Sequence, residues 1–381
     1  VILGIFRYSA PQGAVIVCGM DTDAFAALNL THSNARSGLI REALLHFRNP
    51  REAWLAIRHR ERSAEIDLKR KTALLDRGLA WLEESDSHLI AWHDDDYPAS
   101  LRHVPSPPPF LFLRGRKDLL WHPQIAIVGT RKPSAGGLEA AQQFAAYMTS
   151  QGYTVTSGLA TGIDAAAHDA ALRTGTTIAA LATGPDMAFP RNNEALYERI
   201  CQSGTVITEH PPGVPALRCH FPARNRLIAG LAQGTLVIEA AIRSGALITA
   251  RLAAEMGKEV MAVPGSIRNP VTYGCHQLIR EGAYLVAQPE EVEHILRSSR
   301  QLAVPHPKPA HAAPKPPLEA RQPDSLNTAQ QQVWQALGHD CVSIDSLCQR
   351  TGLTAADISS ILVGMEISGW VENQLGRYHR R

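Results

Sequence analysis

The chain has 381 residues, with 45% hydrophobic and 19% charged residues, and 38 Lys and Arg against 36 Asp and Glu for a formal charge of +2. At roughly 100 to 200 residues per domain this predicts two or three folded domains; the balance excludes wholesale disorder and any partner held by a global charge field. Attraction to nucleic acid must come from a local patch. Cysteines at 18, 201, 219, 275, 341 and 348 form no CxxC pair and no zinc-finger spacing with His, which predicts reduced thiols, no bound metal and a cytoplasmic setting. No run approaches the ~18 apolar residues of a membrane helix, since Arg7 and Pro11 interrupt the start and Asp21 follows. The chain begins at Val1, which leaves a removed leader open.

In residues 1–70, the apolar spacing of Leu39, Ile40, Ala43, Leu44 and Phe47 predicts a helix. Asn49-Pro50 breaks it, and a second amphipathic run passes through Trp54, Leu55 and Ile57. A small helical domain is expected. Residues 58–71 hold seven basic groups, counting His59, but Glu61, Glu65 and Asp67 are interspersed, so this stretch reads as a solvated helix face. Between about Arg70 and Tyr97 the charged region gives way to HLIAWHDDDYP and then to prolines from Pro105 to Pro109, which predicts a boundary.

Residues 71–300 carry six short apolar runs separated by helical segments: IAIVG (125–129), YTVTSG (153–158), TIAALATG (177–184), TVITE (205–209), TLVIEA (235–240) and EVMAV (259–263). Strands alternating with helices predict an α/β domain with a parallel sheet covered on both faces, binding its ligand beyond the carboxyl ends of the strands. Residues 301–325, rich in proline, read as an extended linker. In residues 326–381, TAQQQVWQALG, SIDSLCQRTG and TAADISSILVGMEISG predict three helices, the last with Thr354 and Asp357 as a capping box. Trp370-Val371 and QLGRYHRR add a short β wing, giving a winged-helix-like module. Its recognition helix, 354–368, holds Asp357 and Glu366 but no Lys or Arg, which favours protein contact or domain packing over groove reading.

The first strand end, IAIVGTRKPSAGG, lacks the GxGxxG of a dinucleotide site, and no strand is followed by GxxxxGK[ST]. Arg131 at this end is placed either to hold a phosphate or to form a surface ion pair. At TSGLATGIDAAAH (156–168), Ser157, Gly158 and Gly162 form a small-residue turn that lets a phosphate or base approach the backbone, while Asp164 and His168 read as a structural helix pair. LRCHFPARNRLIAG (217–230) lies in a stretch without acidic residues from Glu209 to Glu239; its Arg218, Arg224 and Arg226 are expected to cluster around Phe221. Cations for phosphates and a ring for a base are the components of sequence-tolerant single-strand binding. Glu239 could orient a ribose or Asn225, act as a catalytic carboxylate, or pair with Arg224 or Arg243.

VGTR (128–131), TSGLATGID (156–164), FPARNRLIAGL (221–231), IEAAIRSGALITA (238–250) and VPG (263–265) resemble, in order, the motifs of the DNA-processing protein A (DprA, Smf) family. The resemblance implies an extended Rossmann-like domain, with a SAM-like helical domain before it and a winged helix after it. It also implies single-stranded DNA binding without a catalysed reaction or cofactor, homodimerisation, protection of incoming DNA in natural transformation, and loading of RecA onto strands coated by single-strand binding protein. The family's DNA contacts map onto Arg131, Arg218, Phe221, Arg224, Asn225 and Arg226; Ser157, Gly158 and Arg243 complete the expected site. On this reading Arg224→Glu with Arg226→Glu abolishes binding and leaves the fold intact. The alternative is a nucleotide hydrolase of the lysine-decarboxylase-like, phosphoribohydrolase type, of which QGTLVIEA is a partial echo.

Overall fold

The computed structural model describes residues 22–33, 35–58, 68–302, 326–337, 342–368, 370–374 and 377–380. The linker read from sequence falls largely on 303–325, and the side chains of the basic segment 58–71 are not among those described, so both expectations lie outside the described residues. What is described falls into two compact units.

The first unit opens with four helices, α1 (Thr22–Thr31), α2 (Ser37–Phe47), α3 (Pro50–Arg58) and α4 (Leu68–Leu82). Asn49, read as a breaker, starts α3: its Oδ1 accepts from Arg51 N at 2.8 Å, occupying a donor that a helix start leaves free. Next come β1 (Ser87–Ala91), β2 (Phe110–Gly115) and the alternating series β3 (Gln124–Val128), α5 (Ala135–Ser150), β4 (Thr154–Ser157), α6 (Ile163–Thr174), β5 (Thr177–Ala180), α7 (Glu194–Ser203) and β6 (Thr205–Thr208). The series continues with α8 (His220–Leu231), β7 (Gly234–Val237), α9 (Gly245–Glu255), β8 (Glu259–Ala262), α10 (Tyr273–Arg280), β9 (Tyr284–Leu285) and α11 (Pro289–Leu302).

All six apolar runs are strands of one nine-stranded sheet, ordered β1-β2-β6-β5-β4-β3-β7-β8-β9. From β6 to β9 every pairing is parallel; β1 with β2 and β2 with β6 are antiparallel. The period of two along β3 sorts its side chains between two cores. Ile125 and Ile127 face α5 and α6 with Phe144, Met148 and Ala167, whereas Ala126 and Val128 pack with Leu227, Ile228 and Ala250 of α8 and α9. The chain steps outward from β3 through β4 and β5 to β6, then returns to place β7 on the other flank of β3. That reversal opens a crevice beyond the carboxyl end of β3, where a doubly wound sheet binds its ligand.

The N-terminal helices share a core with the antiparallel end of the sheet, where Leu28, Leu30 and Leu44 pack with Trp81, Ala91, Phe110 and Phe112. The second unit comprises α12 (Thr328–Leu337), β10 (Val342–Ser343), α13 (Ile344–Thr351), α14 (Ala355–Ile367), β11 (Val371–Gln374) and β12 (Arg377–Arg380). Its strands form a small antiparallel sheet, β10-β12-β11, beside a core containing Trp334, Leu347, Ile358, Leu362 and Met365. Half of the expected capping box is seen: Thr354 Oγ1 accepts from Asp357 N at 3.2 Å as the N-cap, while the Asp357 carboxylate accepts from the Thr354 hydroxyl at 2.6 Å rather than from its backbone N–H.

Candidate nucleic-acid interface

The turn after β3 is clamped from both sides. Thr130 N donates to Glu239 O at 2.6 Å, and Ile163 N donates to Thr130 O at 3.2 Å. Gly162 has φ +84°, and a Cβ there would lie 2.4 Å from Thr130 O, so only glycine lets the start of α6 approach this closely. With the turn fixed, Arg131 and Lys132 project into solvent at the mouth of the crevice.

Arg131 places its guanidinium 5.8 Å from the centre of the Phe221 ring, within cation–π range. Phe189, from the loop after β5, meets the same ring at 5.5 Å between centroids and a tilt of 58°. Between them lies a cavity of about 130 Å³, whose wall also includes Thr161 and whose floor includes Gly158 and Arg224. It adjoins a chamber of about 320 Å³ reaching Asn225 and Ser244, with Arg131, Phe221 and Arg224 common to both. A larger cavity of about 700 Å³ between α1, α4 and β1 is lined by Asp23, Glu83 and Asp94 as well as by Arg48 and Lys117, a mixed lining poorly suited to a polyanion.

The expected cluster of Arg218, Arg224 and Arg226 around Phe221 is not what the structure contains. Phe221, Arg224, Asn225 and Ile228 share one face of α8 at i, i+3, i+4 and i+7 and all border the crevice, but Arg224 is only 6% exposed. Its Nη1 donates to Gly158 O at 2.5 Å and Ala180 O at 2.6 Å, and its Nε donates to Asn225 Oδ1 at 3.1 Å. Arg224 thus ties the ends of β4 and β5 to α8 from beneath the cavity. Burial lowers its pKa to about 10, against the opposing pull of Asp164, so it remains a cation at neutral pH. Arg226, on another face, is ion-paired with Glu209. Arg218 stands exposed before α8, and Arg243 stands exposed after β7.

Gly158 is a buried part of the floor, whereas Ser157, fully buried, lines neither cavity. Ser157 Oγ donates to Ile127 O at 2.6 Å, and a Cβ on Gly158 would lie 2.6 Å from the Arg224 guanidinium carbon. Glu239 fills none of the roles expected of it. It accepts from Ser134 N at 2.9 Å and Ser134 Oγ at 2.6 Å, and Ser134 Oγ in turn accepts from Gly137 N at 3.0 Å as the N-cap of α5. The carboxylate is engaged at a helix N-terminus, where its charge is favoured.

Asp164 and His168 hold the turn after β4 rather than pairing with each other as expected. Asp164 accepts from Gly158 N at 3.1 Å; burial raises its pKa, opposed by the charge of Arg224. His168 Nε2 accepts from Leu159 N at 3.3 Å, so the ring proton sits on Nδ1, 2.7 Å from Thr177 Oγ1, whose own hydrogen goes to Val155 O at 2.6 Å. Burial, with a smaller effect of Arg224, pushes the His168 pKa down to about 3. Burial similarly takes His210 to about 4, aided by His220 and Arg226. An unfolded chain, with ordinary His values near 6.5, therefore binds more protons than the folded one below that pH. The stability from these neutral histidines is complete above pH 6.5 and is lost as pH falls toward 4. Urea unfolding should show a lower midpoint at pH 5 than at pH 7; equal midpoints would contradict the buried, neutral assignment.

Sequence reading missed two residues. Lys132 adjoins Arg131, and Phe189 belongs to a second Phe-Pro dipeptide, 189–190, matching 221–222; that repeat was the available signal. Arg131, Lys132, Arg191, Arg218, Arg243 and Arg268 all follow carboxyl ends of strands in the parallel sheet. None of the six joins an ion pair among the described residues. Among the described residues no group of His, Cys, Asp and Glu is placed to hold a metal ion, and no helix is long and apolar enough to cross a membrane. Cys201, Cys219, Cys275 and Cys348 are free.

A family model described as DNA recombination-mediator protein A matches residues 88–297, spanning this crevice, and one described as the DprA winged helix domain matches residues 313–377. The chain belongs to the DprA/Smf family. It is 37% identical over 311 residues to protein Smf of Escherichia coli K12, covering 80% of each chain. To the DNA processing protein DprA of Streptococcus pneumoniae R6 it is 44% identical over 200 residues, 52% of this chain and 71% of that one. The solved S. pneumoniae DprA structure superposes with a TM-score of 0.56 at 35% identity, covering 72% of this chain and 93% of that chain. A Helicobacter pylori DNA processing protein A, whose structure is described as giving insight into its single-stranded DNA binding mode, superposes with a TM-score of 0.52 at 26% identity, covering 56% and 96%. The extended Rossmann-like and winged-helix architecture of the family is therefore the architecture of this chain.

Proposed function

We propose that the chain is a recombination mediator that binds single-stranded DNA across the crevice beyond β3, protects incoming strands, and loads RecA onto DNA coated by single-strand binding protein. The observation that carries this reading is the cavity beside Phe221 and Phe189, mouthed by Arg131 and bordered by exposed cations that join no ion pair among the described residues. A duplex keeps its bases stacked inside, whereas an unpaired strand offers a base to the rings and its phosphates to the cations. Arg131, Lys132 and Arg218 hold phosphates. Arg224, Asn225 and Gly158 shape the floor rather than grip the strand, and Arg243 extends the cationic rim.

Binding without reaction is favoured over the hydrolase reading by the state of the carboxylates. Glu239 is engaged with Ser134, and Asp164 is buried against Gly158 N, so neither is free to serve as a general base. Homodimerisation is supported by β9, an edge strand with Tyr284 48% and Leu285 53% exposed, a template that a second copy would cover.

Phe189→Ala should weaken oligo-thymidine binding by about tenfold, the loss of one stacking contact. Because the ring is 41% exposed, the melting temperature should hold. The same variant should fail to accelerate RecA assembly on strands coated by single-strand binding protein. Wild-type behaviour in both assays would remove the aromatic cavity from the site.

A further inference from the structure

Two successive strand ends carry the same dipeptide. Ile242-Arg243 follows β7 and Ile267-Arg268 follows β8; Ile242 is 56% exposed and Ile267 80% exposed. Neither arginine joins an ion pair among the described residues, and no acidic residue occurs between Glu239 and Glu255 or between Glu259 and Glu281. Scattered exposed aliphatics are ordinary on a protein surface. Here each is held out on a braced tip beside a free cation.

The bracing is specific. In the β8 loop, Thr272 Oγ1 donates to Ser266 O and Asn269 O, both at 2.8 Å, and Asn269 N donates to Ser266 O at 3.0 Å. His276 Nε2 reaches Gly265 O at 2.9 Å. In the β7 loop Ser244 N donates to Ala241 O at 3.0 Å, and Gly274 N, in the first turn of α10, donates to Ala240 O at 2.7 Å, which fastens the β7 loop to the helix that follows the β8 loop. A Cβ at Gly274 would lie 2.5 Å from that carbonyl, so glycine is what permits the contact.

We infer that these Ile–Arg tips form a second, distal segment of the strand path, each arginine taking a backbone phosphate and each isoleucine lying under a base. This extension rests on the proposed single-strand reading. The sheet order β5-β4-β3-β7-β8 places four inter-strand steps, about 19 Å, between the strand that leads to Phe189 and the strand that leads to Arg268. An extended strand entering at the aromatic cavity would cross β3 and β7 to reach β8. Charge complementarity selects a polyanion over a second protein copy as the occupant.

The test compares wild type with Ile267→Ser/Arg268→Ser in the full chain, measuring binding to oligo-thymidine of about 2 and about 15 nucleotides and oligomeric state by light scattering. On the long strand the variant should bind about tenfold more weakly, with a salt slope shallower by about 0.7 for the one lost phosphate contact. On the short strand it should match wild type, because the cavity alone accommodates it. Unchanged long-strand binding, or equal loss on both lengths, overturns the inference. So does a shift in oligomeric state without a length-dependent loss, which would make the tip a subunit contact. Absence of wild-type binding to either strand would instead overturn the single-strand reading itself.

Discussion

Arg131→Glu is expected to lower affinity for oligo-thymidine by about a hundredfold or more at physiological salt, the largest effect of any exposed single substitution in the molecule. Neutralising one phosphate contact on a single strand costs about 0.7 in the logarithmic salt slope, and reversal adds a repulsion that neutralisation does not. Arg131 also covers the Phe221 ring at the mouth of the cavity, so its loss affects the base contact along with the phosphate contact. The side chain is exposed and makes no ion pair among the described residues, so thermal stability should be unaffected. Fluorescence anisotropy with a parallel melting curve checks both halves. Full affinity in a folded variant would remove Arg131 from the interface.

Arg224→Glu with Arg226→Glu is expected to unfold the protein, which reverses the expectation drawn from sequence. Two carbonyls, Gly158 O and Ala180 O, lose the guanidinium that satisfies them, and each unsatisfied buried acceptor costs ~1 to 3 kcal/mol. The new carboxylate would sit beside Asp164, also buried, with no cation left between them. At position 226 the substitution places a second acid against Glu209 in place of their ion pair. Circular dichroism and urea titration should show a grossly destabilised or unfolded chain. A native spectrum with a wild-type midpoint would show that Arg224 is not the tie between β4, β5 and α8.

The reversal shows which parts of the site are legible in a sequence. Strand and helix alternation marked six of the seven parallel strands, because strands buried on both faces read as continuous apolar runs. β1 and β2 were not assigned, since antiparallel neighbours need no crossover helix and the alternation rule passes over them, and β9 was not, since its two residues make no apolar run. Crevice residues were found through their chemistry, Arg131 and Phe221 most clearly. Their roles depended on direction, which composition does not encode: Arg224 and Arg226 are two residues apart on a helix, so they point to different sides, one under the floor and one toward Glu209. Glu239 was misjudged for the same reason. Its partner, Ser134, is 105 positions away in the chain and meets it only across the β3–β7 pairing. Phe189 escaped notice because a single ring on a loop carries no periodicity.

The measurement that bears most directly on the central claim is fluorescence anisotropy of a labelled oligo-thymidine strand against the full chain, with duplex competitor and a salt titration. Tight binding that duplex fails to displace, weakening with salt at a slope of about 0.7 per phosphate contact, is the predicted result. No binding at low salt, or equal displacement by duplex, would contradict a crevice built to take an unpaired base beside Phe221 and phosphates along Arg131, Lys132 and Arg218.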